Sequence, residues 1–278
     1  MCRVSDATVK RWEDAGFLKS ERTNGGHRRF RAEEVARFQR ENNIGIKRCH
    51  GDDSIIKVNL LRRNGKISSD SKIFPALLYG CEAEAANLLI GEYLQQKTPA
   101  EIFDKFICPA MREIGELWAK GKITVAEEHL ATLTAANAVH KLRTVLPVPA
   151  SSGNLVICCA VEGDFHQFPT FLSQIIFENE GWEVMNFGAN TPLDCLIKEI
   201  LKHQPNGLCI SATFIEDIAQ FSEDYKKLLK RIEKVKTSVI IGGKAFETQA
   251  NRKLFPNAEF VKTFFELAKL SRKIISNK

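Results

Sequence analysis

The chain has 278 residues, 44% of them hydrophobic and 27% charged, which is enough for two or three domains with cores of their own. No stretch approaches the roughly 18–20 consecutive apolar residues of a membrane-spanning helix, and the N-terminus lacks a basic-then-apolar leader pattern, so no membrane association is expected and the predicted location is cytoplasmic. Residues 1–50 hold twelve Lys/Arg against seven Asp/Glu, so +5 of the formal net charge of +6 sits there, and attraction to a polyanion is expected at that end.

At the N-terminus, Ser5 is placed to cap a helix through "DATVKRWEDA" that Gly16 ends, with Val9, Trp12 and Ala15 on one apolar stripe and Thr8, Lys10 and Arg11 facing elsewhere. "FLKSERTNGGHRRF" then predicts two short strands about a Thr-Asn-Gly-Gly turn, followed by a second helix near residues 32–43. A solvated basic face is one reading of this charge. The arrangement favours another, because a short basic helix beside a hairpin tipped with His27, Arg28 and Arg29 suits a major groove and its flanking phosphates.

Residues 46–70 are mixed in charge with little periodicity and predict a linker. From 71 to 149 apolar residues recur three and four apart, with Pro or Gly between the pieces, which predicts a bundle of about four helices. Within "ELWAKGKITVAEEHLA", Gly121 ends one helix, while Thr124 and Glu127 form a capping box that opens the next. Taken singly, Trp118 reads as core, and Glu128 and His129 read as solvated helix residues.

From residue 150 onward, "NLVICCAV", "EVMNFG", "GLCISAT", "SVIIGG" and "EFVK" read as buried strands separated by helix-length segments, the pattern of a doubly wound parallel sheet. The eight cysteines include no C-x-x-C pair, and the adjacent Cys158 and Cys159 read as small buried hydrophobes. Ligands of such sheets bind beyond the carboxyl ends of the strands. There the chain carries "EGDFHQFP", "GANTP", "SATF" and "GGKAF", with no G-x-G-x-x-G phosphate loop, which disfavours a nicotinamide cofactor. A lone loop histidine is most often a hydrogen-bonded surface residue, and one histidine cannot build a protein-only zinc site. It suffices where a macrocycle supplies the equatorial ligands, and a nearby carboxylate would orient it. Asp164 and His166 suit those two roles. No acid-base pair or nucleophile with a partner stands out, so no catalysis is assigned and the chain is not expected to be an enzyme.

Three stretches carry a resemblance to known families. "VSDATVKRWEDAGFL" with "RTNGGHRRF" resembles the MerR-type winged helix-turn-helix, which implies that Thr8, Lys10 and Arg11 enter the groove while Arg22, His27, Arg28 and Arg29 hold the DNA backbone. That family has a helix ahead of this point, so the first helix of residues 1–45 is expected to be missing. "DFHQFP", "SAT" and "GG" resemble the motifs of the cobalamin-binding domain. The match implies His166 as the lower axial cobalt ligand, oriented by Asp164, and a nucleotide tail in a cleft lined by Ser211, Thr213, Gly242 and Gly243. Trp118, Glu128 and His129 match the W-x9-E-H motif of the helical cap in the CarH-type light-responsive regulators, in which the Trp shields the cofactor and the Glu and His contact its adenosyl group.

Two positions depart from these patterns: Pro169 replaces a glycine, which is expected to narrow the cleft or tilt the loop, and Ala119 stands where many light-sensing members have a histidine. The fold implied is multidomain, α and α/β: a winged helix (1–45), a linker (46–70), a four-helix cap (71–149) and a flavodoxin-like cobalamin-binding domain (150–278). The function implied is that of a cobalamin-dependent, DNA-binding transcriptional regulator. It would be a light-responsive repressor that binds adenosylcobalamin and operator DNA as a homo-oligomer, dimer or tetramer. A corrinoid carrier for methyl transfer remains an alternative, as does a regulator whose domain binds another tetrapyrrole or nothing.

Overall fold

The computed structural model describes residues 4–42, 44 and 71–276; the predicted linker lies outside the described residues. The chain divides into two compact units, residues 1–147 and 148–278. Among the described residues no helix is long and apolar enough to cross a membrane.

The first unit opens with α1 (Asp6–Asp14), a two-stranded antiparallel hairpin of β1 (Glu21–Arg22) and β2 (Arg28–Arg29), and α2 (Ala32–Asn42). Ser5 caps α1 by accepting the Thr8 N–H. At the other end Gly16 takes φ +77°, so that its N–H reaches Glu13 and that of Phe17 reaches Trp12, a paired closure that a residue with a Cβ makes only at a cost. Trp12 packs on Phe38 of α2 with ring centroids 4.8 Å apart, and the buried Leu18 donates its N–H to the Trp12 carbonyl at 3.2 Å. The predicted stripe is shorter than expected. Ala15 is the exposed C-cap residue, because the closing turn lifts it away from α2.

The helical bundle comprises α3 (Phe74–Leu78), α4 (Glu82–Leu94), α5 (Pro99–Ile102), a π-helical turn (Phe103–Ile107), α6 (Cys108–Ala119) and α7 (Val125–Arg143). Pro109 lies in the first turn of α6 and has no N–H to give, and just before it the Cys108 N–H bonds back five residues to Phe103. The helix therefore widens for one turn and continues. A turn at Gly80, whose φ is +71° and whose missing side chain leaves room for Leu130 of α7, separates α3 from α4. The Arg40 guanidinium of α2 lies 4.0 Å from the ring centre of Tyr93 on α4, and the Gln96 side-chain amide donates to the Arg40 carbonyl at 2.8 Å, tying the winged segment to the bundle.

The second unit is a five-stranded parallel sheet of β3 (Leu155–Val161), β4 (Glu183–Thr191), β5 (Gly207–Ser211), β6 (Ser238–Gly242) and β7 (Ala258–Val261), in the order β4-β3-β5-β6-β7. Helices α8 (Phe168–Asn179), α9 (Leu193–His203), α10 (Ile218–Arg231), α11 (Gln249–Arg252) and α12 (Phe264–Ser276) connect or follow them. The central strands are apolar on both faces, as helix-covered strands must be. Ile157, Leu208, Ile210, Ile241, Tyr225 and Phe255 pack into one core. Cys158 and Cys159 are buried as expected, and burial, the leading cause, pushes both thiols up from their ordinary value.

Chain order reverses at β3, whose neighbours are β4 and β5, so the crevice of this fold opens between the loops after β3 and β5. β4 runs through Thr191 rather than ending at "EVMNFG": two register shifts against β3 and a left-handed Gly188 let it absorb the extra residues. Gly243 has φ +109°, and a Cβ there would lie 2.2 Å from the Ala212 carbonyl oxygen. Gly243→Ala is therefore expected to destabilise the protein by about 2–4 kcal/mol, through backbone strain and the forced retreat of the 212 peptide, as read from urea denaturation.

Candidate functional site

The loop between β3 and α8 is built around one buried carboxylate. Asp164 is 1% exposed and accepts hydrogen bonds from both sides of the crevice. Its Oδ1 accepts the His166 backbone N–H at 3.0 Å and lies 2.6 Å from His166 Nδ1. Its Oδ2 accepts the Thr213 N–H at 2.6 Å and the Phe214 N–H at 3.4 Å, both from the loop after β5. Burial raises the pKa of this carboxyl, but hydrogen bonds from the His166 ring, His166 N–H and Thr213 N–H outweigh it and hold the value below the ordinary one. Asp164 is thus an anion at neutral pH. A carboxylate can only accept, so Nδ1 is the ring nitrogen that donates to it, and this bond orients the imidazole at the loop.

The imidazole itself stands outside this cradle, its side chain 59% exposed. Among the described residues no group of three or more His, Cys, Asp or Glu could hold an ion. The donor set at this loop is therefore one oriented imidazole, which fits a metal that arrives with its other ligands, as in a corrinoid, and does not fit a bare cation.

The other predicted residues of this unit lie at the strand ends. Ser211 closes β5 and is buried, and Thr213 is half-buried with its N–H on Asp164. Gly242 closes β6 and Gly243 follows it, and a side chain on either would run into protein: Val261 at Gly242 and the Ala212 backbone at Gly243. Pro169 is accommodated within a helix. It lies in the first turn of α8, where a missing N–H leaves no helical bond unmade, and its carbonyl accepts the Ser173 hydroxyl at 3.0 Å.

Sequence reasoning passed over three residues here. Phe165 and Phe214, 76% and 54% exposed, flank the Asp164 cradle in sequence on its two loops. Asn190, at the end of β4, bonds to both Gly163 and Asp164. The available signals were an aromatic residue beside each predicted contact and an asparagine in a Gly/Asn/Pro-rich turn.

In the first unit, the short connection from α6 to α7 carries the second set. Gly121 at φ +65° closes α6, and Thr124 with Glu127 forms the expected reciprocal cap, with bonds of 2.7 and 3.2 Å. Trp118 is 51% exposed, which removes the core reading of that residue. Val125, Leu130 and Leu133 are also exposed near the start of α7. Glu128 accepts the Thr132 hydroxyl at 2.8 Å and lies 3.7 Å from His129 Nε2, and the His129 side chain is exposed.

At the winged segment Lys10, Arg11, Arg22, His27 and Arg29 are exposed and Thr8 is half-buried, its hydroxyl 3.0 Å from that of Ser5. Arg28 differs from the others. Its guanidinium pairs with Glu13 and lies 3.6 Å from Asp14, so it ties the hairpin to α1. The Ser20 hydroxyl, and after it Arg28, hold the Glu13 carboxyl below its usual range.

Asp164→Ala leaves the Thr213 N–H without its partner, and is expected to cost about 1–3 kcal/mol of stability by denaturant titration. In the same variant the downfield proton resonance of His166 Nδ1 should disappear.

Residues 1–43 match the MerR HTH family regulatory protein model, and residues 76–143 match the B12 binding domain model. The dimethylamine corrinoid protein 2 of Methanosarcina mazei is 23% identical over 175 residues, 62% of this chain and 81% of that protein. The HTH-type transcriptional repressor CarH of Myxococcus xanthus is 22% identical over 256 residues, 81% of this chain and 78% of that protein. Among solved structures, the monomethylamine corrinoid protein of Methanosarcina barkeri superposes with a TM-score of 0.60 at 18% identity, over 73% of this chain and 97% of that one, a likeness of fold. The chain thus joins, in one polypeptide, a segment that matches the MerR HTH family regulatory protein model and one that matches the B12 binding domain model.

Proposed function

We propose that this protein is a cobalamin-dependent DNA-binding transcriptional regulator, and specifically a light-responsive repressor that senses adenosylcobalamin. The observation that carries the reading is the Asp164–His166 pair at the crevice of the parallel sheet, in a chain that begins with a basic winged segment. Asp164 accepts from Nδ1 and so directs the imidazole, whose Nε2 would take the lower axial position of cobalt. Ser211, Thr213, Gly242 and Gly243 would line the path of the nucleotide tail. Trp118, Glu128 and His129 would face the upper ligand, with the exposed Val125, Leu130 and Leu133 excluding water from it. When bound, the group supplies a metal centre with a displaceable axial ligand and, if it carries an adenosyl group, a cobalt-carbon bond that light can cleave.

The regulatory part of the reading rests on linkage. A cofactor that binds one assembly state more tightly favours it by the same factor, and about 1–3 kcal/mol of coupling suffices to change occupancy of an operator. A homo-oligomer, dimer or tetramer, is the state expected to bind DNA in the dark. Ala119 leaves the cap without a histidine beside Trp118, and the exposed His129 would move to replace it in the lit state.

The name of the Methanosarcina mazei relative favours a second reading, a corrinoid carrier. The exposed cations of the winged segment weigh against it, since a methyl carrier has no use for them. We assign no catalytic residue.

Purified protein should retain adenosylcobalamin through size exclusion in the dark, and green light should change both its absorption spectrum and its elution volume. Retention without any light response would leave a cobalamin sensor and remove the photoreceptor, and steady methyl transfer between small molecules would favour the carrier. His166→Ala is expected to weaken retention by about 10–100-fold or alter the cobalt spectrum, with the fold intact.

Two arginines of the hairpin separate DNA contact from scaffolding. Arg29→Ala should lower DNA affinity across all sequences and reduce the slope of log K against log salt by about 1. Arg28→Ala should instead reduce the thermal stability of the winged segment, because it releases the hairpin from Glu13.

A further inference from the structure

Asn190 has a backbone that its residue type adopts sparingly. Its φ is +52°, in the left-handed region, and it is not a glycine. Two bonds hold it there. Its side-chain Oδ1 accepts the Gly163 N–H at 2.8 Å, and its own N–H donates to the Asp164 carbonyl at 2.9 Å. The two bonds grip the Glu162–Gly163 peptide and the Asp164–Phe165 peptide, which bracket the residue that orients His166. Gly163 is itself left-handed at φ +79°, so the turn into the histidine loop pairs two such residues face to face.

The irregular course of β4 makes this meeting possible. Cys158 pairs with Asn186, Cys159 with Gly188 and Val161 with Thr191, so β4 gains a residue on β3 twice before its end. A regular ladder would send alternate side chains to the two faces of the sheet. The two bulges instead bring Asn190 level with the loop that leaves β3, and its amide closes onto that loop. The loop is then held from three directions: the Asp164 side chain by Thr213 beyond β5, the Asp164 main chain by Asn190 at the end of β4, and its far end by α8.

We infer that Asn190 is a positioning residue for the axial imidazole, acting through Gly163 and Asp164 without touching the metal or its macrocycle. The inference rests on the reading of His166 as the cobalt ligand. In physical terms, Asp164 sets the rotation of the ring, and Asn190 sets where the residue that carries this restraint stands relative to the crevice. Loss of the Asn190 amide would leave the carboxylate its own bonds and free the Glu162–Gly163 peptide ahead of it.

The test uses the full chain labelled with 15N, loaded with cob(II)alamin, as wild type and as the Asn190→Gly and Asn190→Asp variants. Asn190→Gly keeps the left-handed backbone and the N–H to Asp164 but deletes the acceptor for Gly163. Asn190→Asp keeps an acceptor of the same shape. Electron paramagnetic resonance reads which nitrogen holds cobalt, because a labelled imidazole splits the signal as a spin-half nucleus and the cofactor's own unlabelled base as a spin-one nucleus.

The expected result has three parts. Wild type shows the labelled pattern. Asn190→Gly binds about tenfold more weakly, with the labelled pattern diminished and the melting temperature of the cofactor-free protein unchanged. Asn190→Asp restores both affinity and pattern. Asn190→Gly with wild-type affinity and pattern would overturn the inference, and so would an Asn190→Asp variant as impaired as the glycine one. A wild-type signal from the cofactor's own base alone would instead overturn the axial-ligand reading of His166, and the inference with it.

Discussion

A single carboxylate placed between two loops organises the crevice of the second unit. Asp164 is buried, and burial alone favours the neutral acid. Donors that converge on it from residues 166, 213 and 214 reverse that preference, so the charge is kept and each bond is strengthened by it. The loops joined in this way follow β3 and β5, the strands between which the winding of the sheet changes direction. Parallel strands pairing side by side leave that gap open by construction. The aspartate spans it, and the imidazole is the part of the assembly left facing solvent.

The winged segment solves a different problem with weaker parts. A helix of nine residues and two strands of two residues cannot bury much surface, and exposed ion pairs add little stability each. Its order comes from Trp12 against Phe38, from the buried Leu18 and Ala36, and from two well-made helix ends. Arg28 bonded to Glu13 then sets the direction of the hairpin relative to α1, while the neighbouring Arg29 stays exposed. Adjacent residues of one strand point to opposite faces, so one arginine of the pair serves the scaffold and the other remains available to a polyanion. Arg40 on Tyr93 connects this module to the bundle that carries Trp118, Glu128 and His129.

Much of this was legible along the chain, for local reasons. The caps at Ser5 and Thr124 and the stops at Gly16 and Gly121 each involve residues a few positions apart, and each forms as their spacing predicts. Asp164 and His166 are two residues apart, so their pairing could be read as well. Pro169 stands where the resembling motif has a glycine, and as the second residue of a helix its missing N–H leaves no helical bond unmade. The exposure of Trp118 was not legible, because apolar spacing assigns an aromatic residue to a face without saying whether that face is covered.

The sequence by itself determined the local elements, the basic character of the N-terminal segment, the alternation of strands and helices, and the pairing of a carboxylate with a nearby histidine. These depend on propensities and hydrogen bonds that span a few residues. Only the tertiary structure decided what lies opposite them: Thr213 and Asn190 come to Asp164 from 49 and 26 positions away, Arg28 reaches back 15 positions to Glu13, and Gly243 proves necessary because Ala212 leaves it no room. Such contacts depend on strand order, on bulges and on the closeness of two backbones. Those quantities are set by the packing of the whole unit, and no window of sequence contains them.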